Sequence, residues 1–182
     1  NQTKPFETIL NAPDNSIFFP AESSLSSQKT KIIATSWSNN WRKGFDVYQY
    51  LDQNLDFKRF EFSFVGNSPI EFKNIRHLSP LKSKDLGDEL RKHHAFITAS
   101  IDDPCSNSLI EAIHCGLIPL ARSSGGHPQI VGKEGFLFQG NGDILKRLED
   151  VAVKISKSSF SYKLPCIKEV GGMYVKFAEK VV

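Results

Sequence analysis

No stretch of this chain approaches the roughly 20 consecutive apolar residues that a membrane-spanning helix needs. It has no signal-like opening segment, and its first residue is Asn1 rather than Met, so it is read as a piece of a longer protein. Cysteine is scarce and odd in number: Cys105, Cys115 and Cys166 have no metal-site spacing, which favours a reduced, cytoplasmic setting. Charge of one sign is lacking too. The formal net charge is +3, and the lysines and arginines are scattered among acids, so no nucleic-acid partner is expected. There is no internal repeat, no long low-complexity tract, no P-loop and no G-x-G-x-x-G. Asn1-Gln2-Thr3 fits a glycosylation acceptor, but with nothing else secretory it is read as chance.

What remains is a chain of 182 residues, enough for one domain with a sizeable core. The run KIIATS at 31–36 is apolar and partly β-branched and reads as a buried strand. FSFVG at 62–66, AFITAS at 95–100, IPLA at 118–121 and GFLF at 135–138 read the same way, with NIRHL at 74–78 a weaker strand. Between them lie helical patterns. Phe45, Tyr48, Leu51 and Leu55 share one face, Asp85 and Asp88 suggest a capping box, and residues 108–115 form a helix stopped by Gly116. A helical turn follows at 126–131 and an amphipathic helix at 143–155. A last helix over 167–182 is weakened by Gly171 and Gly172. Continuously apolar strands alternating with helices predict an α/β fold: a doubly wound, Rossmann-like parallel sheet with helices on both faces. The serine-rich stretch at 20–30 marks where the domain begins.

Ligands of such sheets sit at the carboxyl ends of the strands. Two segments belong there, SWSNNWRKG after the first strand and IDDPCSNS after the strand at 95–100. Both lead into helix starts, whose free N–H groups and positive dipole end favour anions, phosphate above all. Arg42 and Lys43 add positive charge at the first, and the small residues Cys105, Ser106 and Asn107 allow close approach to backbone at the second.

At this point four segments, in order, resemble the C-terminal, donor-binding half of GT-B fold glycosyltransferases of family 4, also called group 1. NAPDNSIFFP at 11–20 resembles the family's interdomain link, and RKGFD at 42–46 resembles its lysine-glycine segment. DPCSNSLIE at 103–111 resembles its pair of acids separated by seven residues. EAIHCGLIPLARSSGGHPQIV at 111–131 resembles the stretch that follows. There are departures. Asp103 is one methylene shorter than the usual Glu, Cys105-Ser106-Asn107 replaces Phe-Gly-Leu, Trp37 stands where an arginine is common, and Gln129 replaces a Glu.

The resemblance implies a retaining glycosyltransferase that takes a sugar from a nucleotide-diphosphate sugar, in polysaccharide or glycoconjugate synthesis. The implied catalytic residues are Lys43, against the diphosphate, and Asp103, reaching the sugar hydroxyls. The implied nucleotide-sugar-binding set is Arg42, Lys43, Asp103, Cys105, Ser106, Asn107, Ser108, Leu109 and Glu111, with residues 106–109 offering backbone N–H groups and residues 124–126 lining the same cleft. Base recognition is expected around residues 77–81. Glu111 matches a ribose diol, two acceptor oxygens for two donors, but Ser108 to Glu111 also spells a capping box. His127 is read either as a ligand contact or as a packing residue, His114 as structural, and Cys105 not as a nucleophile, since no base lies near it in sequence. No D-x-D pair occurs, so no metal and no cofactor is expected beyond the donor substrate.

The implied organisation is interdomain linker over 1–28, nucleotide-sugar-binding domain over 29–166, and a helix over 167–182 crossing back to an N-terminal domain outside this chain. Its apolar positions Met173, Tyr174 and Phe177 are expected to be exposed or packed on a neighbouring molecule. That N-terminal domain would bring the acceptor, a glycan or a lipid-linked molecule, and the full-length protein a peripheral membrane association. Two other functions remain open: a non-catalytic nucleotide-sugar-binding domain, and another GT-B enzyme such as a nucleotide-sugar epimerase.

Overall fold

Six parallel strands form one sheet in the order β3-β2-β1-β4-β5-β6. The computed structural model of the chain describes residues 6–22, 27–157 and 162–181. The strands are β1 (Thr30–Ser36), β2 (Phe60–Gly66), β3 (Arg76–Leu78), β4 (Ala95–Thr98), β5 (Ile118–Arg122) and β6 (Phe136–Phe138). The helices are α1 (Phe45–Asn54), α2 (Ser83–Leu90), α3 (Asn107–His114), α4 (His127–Val131), α5 (Ile144–Lys157) and α6 (Ile167–Val181). Successive strand residues point to opposite faces, so Ile32, Ala34, Phe64 and Ile97 face α1 and α5. Ile33, Val65, Phe96 and Ala121 face α2, α3 and α4. Both faces are apolar because both are covered, which is why the strands read as unbroken apolar runs.

The strand order reverses between β1 and β4, which pair in parallel. The helices that follow the two strands, α1 and α3, pack on opposite faces of the sheet, which leaves a crevice at the carboxyl ends of the strands. Buried polar anchors set the loops around it. The Tyr48 hydroxyl on α1 accepts the Ala99 amide at 3.1 Å, just beyond β4. The buried Asp52 carboxylate accepts the amides of Lys73, Asn74 and Ile75 and so turns the chain into β3. Several boundaries differ from the sequence expectation. β2 starts at Phe60, and α6 runs through Gly171 and Gly172, around whose missing Cβ positions nothing lies within 4 Å. α2 begins at Ser83 with Lys82 as its cap residue and no side-chain capping bond, so the Asp85–Asp88 capping box does not form. Asp88 pairs with Arg91 instead.

Residues 6–22 lie along the second helix layer. Phe18 is buried there, and the Arg91 guanidinium donates to the Ile17 carbonyl and stacks on the Phe19 ring. Part of the serine-rich stretch at 20–30 lies outside the described residues. α6 returns beside this segment, its Lys180 3.6 Å from Glu7. Only Val170 of α6 is buried; Tyr174 is exposed, and Met173 and Phe177 are half-buried.

Candidate functional site

The loops after β1 and β4 meet at the switch point. After β1 the chain makes a single 3-10 turn over Trp41–Lys43, capped by the Asn40 side chain on the Arg42 amide, and then Gly44 takes a φ of 87°. A Cβ on Gly44 would stand 2.2 Å from the Ala99 Cβ, so only glycine permits this approach. The Ile101 amide donates to the Arg42 carbonyl at 2.8 Å and ties the two loops together. The consequence is a contact across sixty residues of sequence: the Lys43 ammonium lies 3.3 Å from the Asp103 carboxylate. Arg42 pairs with Asp102 at 2.7 Å on the exposed side.

The Gly125-Gly126 pair is explained by the same crowding. A Cβ on Gly125 would stand 2.4 Å from the Asp103 carbonyl oxygen, and one on Gly126 would stand 2.1 Å from that of Pro104. The Gly126 amide donates to the Asp103 carbonyl at 2.9 Å. Ser124 receives the Asp102 amide on its hydroxyl at 2.9 Å, and Asp102 itself has a φ of 55°. Asp102 and Ser124 thus position the loop that carries Asp103. Asp102 was not singled out from sequence, although an acidic pair just beyond a buried strand was a visible signal. His127 is fully buried: its Nδ1 donates to the Arg122 carbonyl at 2.9 Å, and burial holds its pKa below the ordinary value. That bond fixes the ring, and its Nε2 is left without a hydrogen-bond partner among the described residues, within reach of the charges on Asp103 and Lys43.

α3 starts at Asn107 with Ser106 as cap residue and no capping bond from its side chain. Ser108 is therefore inside the helix, and the capping box with Glu111 does not form. The first-turn amides of Asn107, Ser108 and Leu109 have no intrahelical acceptors. The Leu109 side chain is buried in the core, so only its backbone faces the crevice. The Asn107 side chain accepts from Asn11 at 2.8 Å and pins the N-terminal segment to α3. Cys105 is half-buried at the edge of the same core. Glu111 is bonded to neither Lys43 nor Asp103, which pair with each other. It lines a cleft of about 360 Å³ with Asn11, Ala12 and Pro13 and with Ile167 and Val170 of α6. It has no hydrogen-bonding or charged partner among the described residues, and burial pushes its carboxyl up to about 7.

A second, larger cleft of about 610 Å³ opens over the ends of β1, β2 and β3, bounded by Trp37, Gly66, Asn67, His77 and Ser79 among others. His114, on the last turn of α3, lies 3.3 Å from the Asn15 amide and serves the packing of residues 6–22. No helix among the described residues is long and apolar enough to cross a membrane, and no group of three or more His, Cys, Asp or Glu among them could hold a metal ion.

A family model described as glycosyl transferases group 1 matches residues 32–156. No curated protein matches the chain. Solved structures share the fold at low identity. Sucrose-phosphate synthase from Thermosynechococcus elongatus is 13% identical, with a TM-score of 0.71 over 93% of this chain and 51% of its own. HepE from Anabaena, in complex with UDP-glucose, is 14% identical, with a TM-score of 0.66 over 96% of this chain and 57% of its own. The C-terminal domain of LpcC, a group 1 family protein from Francisella tularensis, is 15% identical, with a TM-score of 0.62 over 82% of this chain and 95% of its own. The chain thus spans about half the length of the two longer structures.

Proposed function

The chain belongs to the group 1 glycosyltransferases, and from that premise we propose that it is the half that holds the donor, a nucleotide-diphosphate sugar, for retaining transfer to an acceptor carried by a second domain. The observation that carries this reading is the Lys43–Asp103 pair at the β1–β4 switch point. The diphosphate replaces Asp103 as the partner of Lys43, joined by the free amides at the start of α3. Released from the lysine, Asp103 accepts hydroxyls of the donor sugar. As the glycosidic bond breaks, the leaving nucleotide gains negative charge. A fixed ammonium there stabilises the transition state more than the ground state. Arg42 supplies further positive charge from the rim. Glu111 takes the ribose diol, and its lack of any other partner supports that role, because nothing in the fold uses the carboxylate. The UDP-glucose bound by HepE is a ligand of the same chemical class.

Calorimetric titration with uridine, guanosine and adenosine diphosphates, each beside its nucleoside, tests the assignment. Lys43→Ala is expected to weaken the diphosphate by on the order of 1–3 kcal/mol, the worth of a charge-assisted contact, and to leave the nucleoside nearly unchanged. Equal losses for both would show that Lys43 does not touch phosphate.

A further inference from the structure

His127 opens α4 as a fully buried residue. The turn before it is pressed on the loop after β4, where Gly125 packs on the Asp103 backbone and Gly126 on the Pro104 carbonyl. The ring therefore enters α4 beside the loop that carries Asp103. One side of it is fixed: Nδ1 lies 2.9 Å from the Arg122 carbonyl on β5. A carbonyl only accepts, so Nδ1 carries the proton, and burial keeps the ring neutral. Nε2 therefore presents a lone pair. It is shut off from solvent and has no hydrogen-bond partner among the described residues. A buried acceptor left without a donor destabilises a fold, and native structures keep few of them.

The charges that act on this ring are those of Asp103 and Lys43. Neither fills the lone pair. The Asp103 carboxylate only accepts, and the Lys43 ammonium is turned to Asp103 at 3.3 Å. A diphosphate would not fill it either, because its ionised oxygens only accept. A sugar would: every hydroxyl of the ring brings an O–H. Two acceptors on one loop-and-turn unit, a carboxylate and a neutral imidazole nitrogen, suit a polyol and not an anion. We propose that His127 contacts the transferred sugar, its Nε2 accepting one sugar hydroxyl while Asp103 accepts others. The contact forms when the diphosphate draws Lys43 away from Asp103 and the sugar takes the place beside the ring. His127 then selects for donors that carry a hydroxyl at that position. This inference rests on the donor-binding reading above and adds to it a residue that reads the sugar.

Two substitutions separate the two ring nitrogens. Asparagine places its amide where Nδ1 lies and keeps a donor for the Arg122 carbonyl; glutamine reaches the place of Nε2. The 182-residue chain, His127→Asn and His127→Gln are titrated calorimetrically with UDP, GDP and ADP, and with UDP-glucose, GDP-mannose and ADP-glucose. Diphosphate affinity is expected to hold in both variants, which also shows that they fold. Affinity for the tightest sugar nucleotide should fall about tenfold in His127→Asn, the scale of one lost hydrogen bond, and recover in part in His127→Gln. A ring that only packs predicts the opposite order, with asparagine the milder change. Ring-nitrogen NMR of the unaltered chain reads the lone pair without any variant, and decides the matter if a variant unfolds. The His127 Nε2 resonance should move toward the hydrogen-bonded position with the sugar nucleotide, and much less with the diphosphate. Equal losses for diphosphate and sugar nucleotide, or an Nε2 resonance that answers both alike, overturn this inference and leave the donor reading standing. A chain that binds none of the six ligands overturns the donor reading and this inference with it.

Discussion

Glu111 is the residue whose cost to the fold and proposed use meet most clearly. An acid whose folded pKa lies above its unfolded value holds more protons folded than unfolded in the range between. Stability therefore falls as pH rises from about 4.5 to about 7 and stays lowered above that. Glu111→Gln removes the penalty. Thermal unfolding at pH 8 is expected to shift upward by on the order of 2 kcal/mol, roughly 5 °C, with little change at pH 4. Ligand binding should move the opposite way. A diol needs the ionised carboxylate, so nucleotide affinity should rise between pH 6 and pH 8 in the original chain, and that slope should vanish in Glu111→Gln. A variant that is no more stable at pH 8 would mean the carboxylate has a partner. The chemistry of this residue was legible as one of two acids with seven residues between them. Its isolation was not, because Ser108 to Glu111 is a capping pattern in sequence, and only the helix start at Asn107 shows that the pattern falls two residues too late.

Among the elements, the glycines separate positions that the fold forces from positions that it tolerates. Gly44 joins the Lys43 turn to α1 at positive φ against Ala99. Gly44→Ala is expected to cost about 2–4 kcal/mol through clash and backbone strain, and to weaken diphosphate binding because the Arg42–Ile101 bridge moves with it. Denaturant unfolding and the same calorimetric titration read both effects; unchanged stability would contradict the close packing. Gly171 and Gly172 lie in open space on α6. Alanine at both should stabilise that helix by about 1 kcal/mol each, seen as slower amide exchange over α6 with nucleotide affinity unchanged. The order of strands and helices was legible from apolar runs, since a doubly covered sheet leaves no polar alternation to confuse them. The ends were less so. The 3-10 turn at Trp41–Lys43 carries no periodic signal, and cap positions depend on backbone bonds such as Leu86 N–H to Lys82 that side-chain patterns do not encode.

For the molecule as a whole, parallel topology brings Lys43 to Asp103, because the switch point makes β1 and β4 neighbours. Sequence placed both loops at strand ends but could not supply the strand order that joins them. If the donor half alone is present, the 182 residues should bind a nucleotide-diphosphate sugar without acceptor-dependent transfer, which needs a closed, water-excluding crevice. Release of free nucleotide from labelled donors checks this, and robust transfer by these residues alone would contradict it.

The central claim is that the donor lies at the carboxyl ends of β1 and β4. Backbone amide NMR of the chain, titrated with the nucleoside diphosphate that binds tightest, tests it most directly. The account predicts perturbations concentrated in residues 38–45, 77–81, 101–111 and 123–127. Perturbations gathered instead around Lys29, Arg76 and Lys92, in the cleft at the amino ends of the strands, or no perturbation by any nucleoside diphosphate, would contradict it.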